Sequence, residues 1–182
     1  MYLFFDTETT GLPIDPKAPT SDFDNWPRIV QLAYLLYDDN GILTASEDFI
    51  IKPVGFEIPL ESSRIHGITT DRALKEGHQI TIVLNKFTEF VQKSNFLVGH
   101  NIFFDKKVVG SEYLRNGLED SLQFKKKICT MTGPTKHFKG WITLSELHQR
   151  LFGSNFEEAH NASKDIQATA RCFWELRKLG IL

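Results

Sequence analysis

The stretch Met1-Tyr2-Leu3-Phe4-Phe5-Asp6-Thr7-Glu8-Thr9-Thr10-Gly11 constrains this chain more than any other, because an apolar run stops abruptly in two acids that bracket a threonine. It is strand-sized, rich in aromatic residues and closed by Gly11 and Pro13, which predicts a buried strand whose carboxyl end carries the acids. Residues two apart on a strand share a face, so Asp6 and Glu8 project the same way. Two carboxylates side by side at the end of a buried strand repel each other and resist desolvation unless a cation sits between them. On this fragment alone, a solvated strand end and a metal site are equally good readings.

The rest of the chain supplies the setting. Its 182 residues suit one domain, 1–182, with a single substantial core, and 41% hydrophobic with 24% charged residues is ordinary for a soluble protein. A net charge of -2 argues against holding a polyanion by bulk electrostatics, so any nucleic acid has to be gripped locally. Cys129 and Cys172 form no CxxC pair and no zinc-like spacing, which points to a reducing compartment. No basic leader precedes the first strand and no apolar run is long enough to span a membrane, so a cytoplasmic protein without a membrane partner is expected.

After the opening strand, Pro13 to Pro27 holds four of the seven prolines and reads as a long irregular loop. Its aromatics Phe23 and Trp26 either touch a ligand beside the acid pair or pin the loop down. Arg28–Tyr37 and Ile42–Lys52 read as strands joined by a hairpin turn at Asn40-Gly41. Leu60–His66 suggests a short helical turn, and Ile80, Val83, Leu84, Phe87, Phe90 and Val91 recur at helical spacing. Strands follow at Asn95–Gly99 and Lys126–Met131, and helices at Ile102–Arg115, Thr143–Phe152 and Ala162–Leu179, the last closed by Gly180. A hairpin laid on the first strand, then alternating helix and strand, predicts an α/β fold. Its mixed five-stranded sheet has three antiparallel strands, two parallel ones and helices on its faces.

Two later segments carry further acids. In Gly99-His100-Asn101-Ile102-Phe103-Phe104-Asp105, a strand ends and a helix begins near Asn101, a candidate cap; Asp105 then lies in the first turn on an apolar side, either compensated by something specific or favoured by the helix dipole. In Glu158-Ala159-His160-Asn161-Ala162-Ser163-Lys164-Asp165, His160 and Asp165 are five apart. One continuous helix would splay them by roughly 140°, so they converge if His160 sits in the connecting loop and Asp165 in the first turn. Asp6, Glu8, Asp105 and Asp165 thus all fall where an α/β fold places its ligand crevice. Four acids there require cations, and oxygen ligands suit magnesium or manganese over zinc or copper. Two such ions some 3.5–4 Å apart would clamp the attacking and leaving oxygens of a phosphodiester. His160, with an ordinary histidine pKa of about 6.5, is suited to take a proton from the attacking water.

In order and spacing, Phe5-Asp6-Thr7-Glu8-Thr9-Thr10-Gly11-Leu12, Gly99-His100-Asn101 through Asp105, and His160-x-Ala162-x-x-Asp165 resemble the three motifs of the DEDDh 3′–5′ exonucleases. That group includes the proofreading subunit of bacterial DNA polymerase III. Arg28-Ile29-Val30-Gln31 and His66-Gly67-Ile68-Thr69 also look like family segments, so the resemblance spans almost the whole chain. It implies the ribonuclease H-like fold and a catalytic set of Asp6, Glu8, Asp105, His160 and Asp165. Asp6 would bridge two Mg2+ (or Mn2+) ions, Glu8 and Asp165 would complete the first ion's shell, Asp105 would hold the second, and His160 would be the general base. It further implies that Thr9, through its backbone, and Glu8 meet the terminal 3′-hydroxyl, that Leu12 and Ile65 wedge the last bases apart, and that Phe104 lines the pocket. The implied partner is a single-stranded 3′ end, DNA ahead of RNA, with a DNA polymerase as a candidate associate. The long Pro13–Pro27 loop departs from many relatives. The alternatives are a catalytically silent ribonuclease H-like module that binds nucleic acid or a polymerase, and an endonuclease using the same acids. Silent modules usually lose an acid or the histidine, whereas all five residues stand here. The run Lys125-Lys126-Lys127 reads as a solvated strand start, with tracking of a phosphate backbone as the functional alternative.

Overall fold

The computed structural model describes residues 1–156 and 160–182; Glu158 and Ala159 of the second acidic segment lie outside the described residues. The chain runs β1 (Tyr2–Thr9), β2 (Ile29–Tyr37), β3 (Leu43–Ile50), α1 (Leu60–His66), α2 (Thr70–Glu76), α3 (Ile80–Lys93), β4 (Phe96–Gly99), α4 (Ile102–Arg115), β5 (Lys126–Cys129), α5 (Thr135–Phe138), α6 (Leu144–Phe152) and α7 (Ala162–Lys178). The sheet order is β3-β2-β1-β4-β5. β1 pairs antiparallel with β2, and β2 with β3, while β1–β4 and β4–β5 are parallel. The expected mixed five-stranded sheet is therefore the one that forms. Helices α2 and α5 were not legible as separate elements, and the last strand stops at Cys129 instead of Met131. Both helices are short, and neither carries enough apolar residues to make a period.

β1 is the central strand and is buried on both faces, which its near-continuous apolar run requires. Alternation divides it. Leu3 and Phe5 face a cluster built with Val83, Phe87 and Val91 of α3 and Val108 and Tyr113 of α4. Tyr2 and Phe4 face the opposite cluster, with Ile166, Ala170 and Phe173 of α7. This period of two decides what the polar end of the strand can reach, since each later residue inherits the face of its parity. Gly99 ends β4 where a Cβ would come within 2.8 Å of the Ile102 side-chain tip and 3.3 Å of the Phe5 carbonyl, so a larger residue would make Ile102 shift where β4 turns into α4 beside β1. Among the described residues, no helix is long and apolar enough to cross a membrane. Both cysteines are free and buried.

Candidate active site

The parity of β1 assembles the site. Asp6 and Glu8 continue the face of Tyr2 and Phe4, toward α7, and α7 presents Asp165 in its first turn. One carboxylate oxygen from each of Asp6, Glu8 and Asp165 lies within 4.8 Å of the others. Thr7 has the opposite parity, toward α4, and there it meets Asp105. Its N–H donates to Asp105 Oδ1 at 3.0 Å and its hydroxyl donates to the same oxygen at 2.7 Å. Asp105 is only 3% exposed, and these two bonds are the compensation that its apolar surroundings demanded. Asn101 occupies the cap position of α4 but makes no side-chain cap bond; it is instead left-handed, with φ 64°.

His160 lies outside α7, and its φ of 69° folds the connection back so that its N–H donates to Asp165 Oδ2 at 3.1 Å. The backbone thus joins the two residues that sequence spacing left apart, while the imidazole sits on an exposed residue. Asn161 caps α7, its Oδ1 accepting from Ser163 and Lys164. The other Asp165 oxygen, Oδ1, is buried and has no hydrogen-bond partner among the described residues.

Burial, joined at Asp6, Glu8 and Asp105 by repulsion from neighbouring carboxylates, raises the protonation of all four acids. Burial, followed by repulsion from Asp105, Asp165 and Glu8, holds the Asp6 carboxyl far above the usual carboxylate range. Glu8 is pushed up to about 8 by burial and then by Asp165 and Asp105. Asp105 rises to about 7 through burial, although the two bonds from Thr7 oppose the rise. Asp165 rises to about 6, again through burial, with His160 pulling the other way. No described lysine or arginine forms a salt bridge with any of the four. A set of hard oxygen donors, one of them orphaned and all of them destabilised as anions, is what a divalent cation fits.

The remaining expected residues differ in burial. Thr9 is buried and its hydroxyl donates to the Gly11 carbonyl at 2.7 Å, fixing the turn out of β1. Leu12 and Ile65 are 83% and 58% exposed, which no core position would be. Phe104 is partly buried against the α3–α4 cluster. Sequence reasoning assigned no role to three supporting side chains. Thr7 holds Asp105, Ser62 ties α1 to the strand end by donating to the Thr10 carbonyl at 2.8 Å, and buried Gln31 accepts from the Ala162 N–H at 3.3 Å. Only Gln31 carried a signal, a polar residue inside an apolar strand.

The Pro13–Pro27 loop is strapped down. Trp26 is buried and its indole N–H donates to the Pro19 carbonyl at 3.0 Å; Arg115 donates to the carbonyls of Phe23 and Trp26. Arg115 is itself held with Arg28 on buried Glu112, at 3.0 and 2.6 Å. So Trp26 anchors the loop.

Comparison with known proteins now decides the family, because the RNase T exonuclease family model matches residues 3–173. The chain belongs to the RNase T exonuclease family. By that match, residues 3–173 form an exonuclease-family domain. Among curated relatives, the DNA polymerase III PolC-type of Listeria welshimeri is 30% identical over 97% of this chain, and that of Staphylococcus aureus is 29% identical over 100% of it. The chain spans only 11% and 12% of the length of those polymerases. Among solved structures, E. coli exonuclease I in complex with a dT13 oligonucleotide superposes with a TM-score of 0.79 at 20% identity, covering 97% of this chain and 40% of that one. Exonuclease X in complex with 5′ overhanging duplex DNA gives a TM-score of 0.69 at 22% identity, covering 99% of this chain and 93% of that one. Those two likenesses establish the shared fold, with its ribonuclease H-like sheet, for this member of the RNase T exonuclease family.

Proposed function

We propose that residues 1–182 act as one cytoplasmic exonuclease domain that removes nucleotides singly from a nucleic-acid 3′ end, DNA ahead of RNA, releasing 5′-monophosphates. The observation that carries this reading is the convergence of Asp6, Glu8 and Asp165 within 4.8 Å, with Asp105 repelling Asp6 from the other face. Asp6, Glu8, Asp105 and Asp165 would hold two Mg2+ (or Mn2+) ions, which when bound supply charge neutralisation at the phosphate and a more acidic water. His160 takes the proton of the attacking water; its place beside Asp165 and its exposure both suit a base that must exchange that proton with solvent. Glu8 and the Thr9 backbone orient the terminal 3′-hydroxyl. Leu12 and Ile65 separate the last bases, a role that fits large apolar side chains left in water, and Phe104 lines the pocket. A DNA polymerase is a candidate associate, as the PolC-type relatives suggest.

The test is digestion of 5′-labelled single-stranded DNA, matched and mismatched duplex DNA, and short RNA, with magnesium or manganese. A ladder shortening from the 3′ end, fastest on single-stranded DNA, is expected. Internal cutting of circular single strands, or no product with either metal, would overturn the reading.

A further inference from the structure

Gln31 is a polar side chain inside the apolar strand β2, only 3% exposed, and it stands directly across from Glu8 in the β1–β2 register. It shares the parity of Ala33 and Leu35, on the face of the sheet that packs against α7. Both ends of its amide are engaged. Nε2 donates to Asp48 Oδ1 of the edge strand β3 at 2.7 Å, and Oε1 accepts from the Ala162 N–H at 3.3 Å. The opposite orientation would set the amide oxygen against a carboxylate and the NH2 group against an N–H, so Asp48 fixes which way the amide points.

The bond to Ala162 completes the start of α7. A helix leaves its first N–H groups without partners of its own. Asn161 Oδ1 accepts from Ser163 and Lys164, and the N–H of Ala162, which that cap does not serve, is met by Gln31 from 131 positions earlier in the chain. Ala162 is fully buried in the cluster between α7 and the sheet. His160 lies two residues before it and Asp165 three after. A buried amide packs no better than leucine and is costly to desolvate unless both ends are bonded; these bonds lead to the helix start that carries the reactive residues.

We propose that Gln31, oriented by Asp48, is a positioning residue that fixes the first turn of α7 against Glu8 and so places His160 and Asp165 for hydrolysis. The tether sets where α7 begins, while the Asp165 carboxylate keeps the freedom that its contact with the His160 backbone leaves it.

This role rests on the exonuclease reading, and the experiment separates the two. Gln31→Met keeps the length of the side chain and removes both polar ends. Its kcat on a 5′-labelled single-stranded DNA oligonucleotide should fall about tenfold, with KM within about twofold of the wild type, as for a residue that orients a reactive group. Hydrogen exchange at the Ala162 amide, followed by NMR in the metal-free protein, should speed up about fivefold as its hydrogen bond is lost. Asp48→Ala, a change at an exposed residue, should lower kcat about threefold, and it should add nothing in the Gln31→Met background because the aspartate acts through the amide. A Gln31→Met variant that melts earlier yet keeps the wild-type kcat, or effects of the two substitutions that simply multiply, would overturn the positioning role. Failure of the wild type to shorten the oligonucleotide from its 3′ end would overturn the exonuclease reading instead.

Discussion

The two helix starts that complete the site are built in opposite ways. At α4, Asp105 is buried and both bonds to it come from Thr7 of the central strand, one through the backbone and one through the hydroxyl. At α7, among the described residues, Asp165 receives one bond from the N–H of His160, a left-handed residue on the surface, and keeps a buried oxygen without a partner. The first acid is wired into the sheet before any ligand arrives. The second is held by a loop and, among the described residues, retains a buried oxygen without a hydrogen-bond partner. A site of this kind fixes one side of its ligand and lets the other side adjust, the division of labour that a hydrolase releasing a product each cycle needs.

Asp6 is the acid that both sides repel, so its loss should erase the distinction. Asp6→Ala is expected to abolish turnover of single-stranded DNA with magnesium or manganese. Appreciable activity in a purified, folded sample would mean that the centre lies elsewhere. His160→Ala tests the adaptable side alone. Turnover should fall about 10²–10⁴-fold, because a proton acceptor is removed and not a ligand. Divalent-cation binding, followed by titration calorimetry, should survive, since the Asp165 contact is made by the backbone. A variant that loses cation binding along with activity would show His160 to be a ligand.

Thr7→Val tests the fixed side. It removes the hydroxyl bond to Asp105 and leaves the N–H bond, so kcat should drop about tenfold, the usual range for a residue that orients a metal ligand. Thr7→Ser should restore most of that loss. Equal damage from valine and serine would point to packing of the threonine methyl group and break the contrast between the two helix starts.

Much of this was legible from the residues because a single strand governs both the fold and the site. The aromatic run marked β1 as central, and the period of two placed Asp6 and Glu8 together. The same period could have assigned Thr7 to the face of α4, but a strand pattern does not say which helix covers which face; that follows from the packing of α4 and α7. The fold-back at His160 was equally hidden, since a positive φ in a histidine has no sequence signature comparable to glycine. The loop from Pro13 to Pro27 announced irregularity. Its anchoring by Arg28, Glu112 and Arg115 depends on pairs more than eighty residues apart, out of reach of local pattern.

The smallest expected effect concerns stability, and it separates the two acids by the pH at which each becomes a burden. All four carboxyls titrate above their ordinary values, with Asp165 at about 6, Asp105 at about 7 and Glu8 at about 8. A raised carboxylate pKa means that the folded state binds more protons than the unfolded chain across the interval between the two values. Stability therefore falls as pH climbs through that interval and levels off above it. In EDTA, the melting temperature of the wild type should decline between about pH 5 and pH 8 relative to Asp6→Asn, which removes the acid repelled by Asp105, Asp165 and Glu8, and the variant should melt about 5 °C higher at the upper end. Added magnesium should close that gap at pH 8 and do little at pH 5, where the acids are largely protonated. Parallel melting curves for the two proteins across this range would show that the carboxylates are not in conflict. The case for a cation between Asp6, Glu8 and Asp165 would then rest on geometry alone.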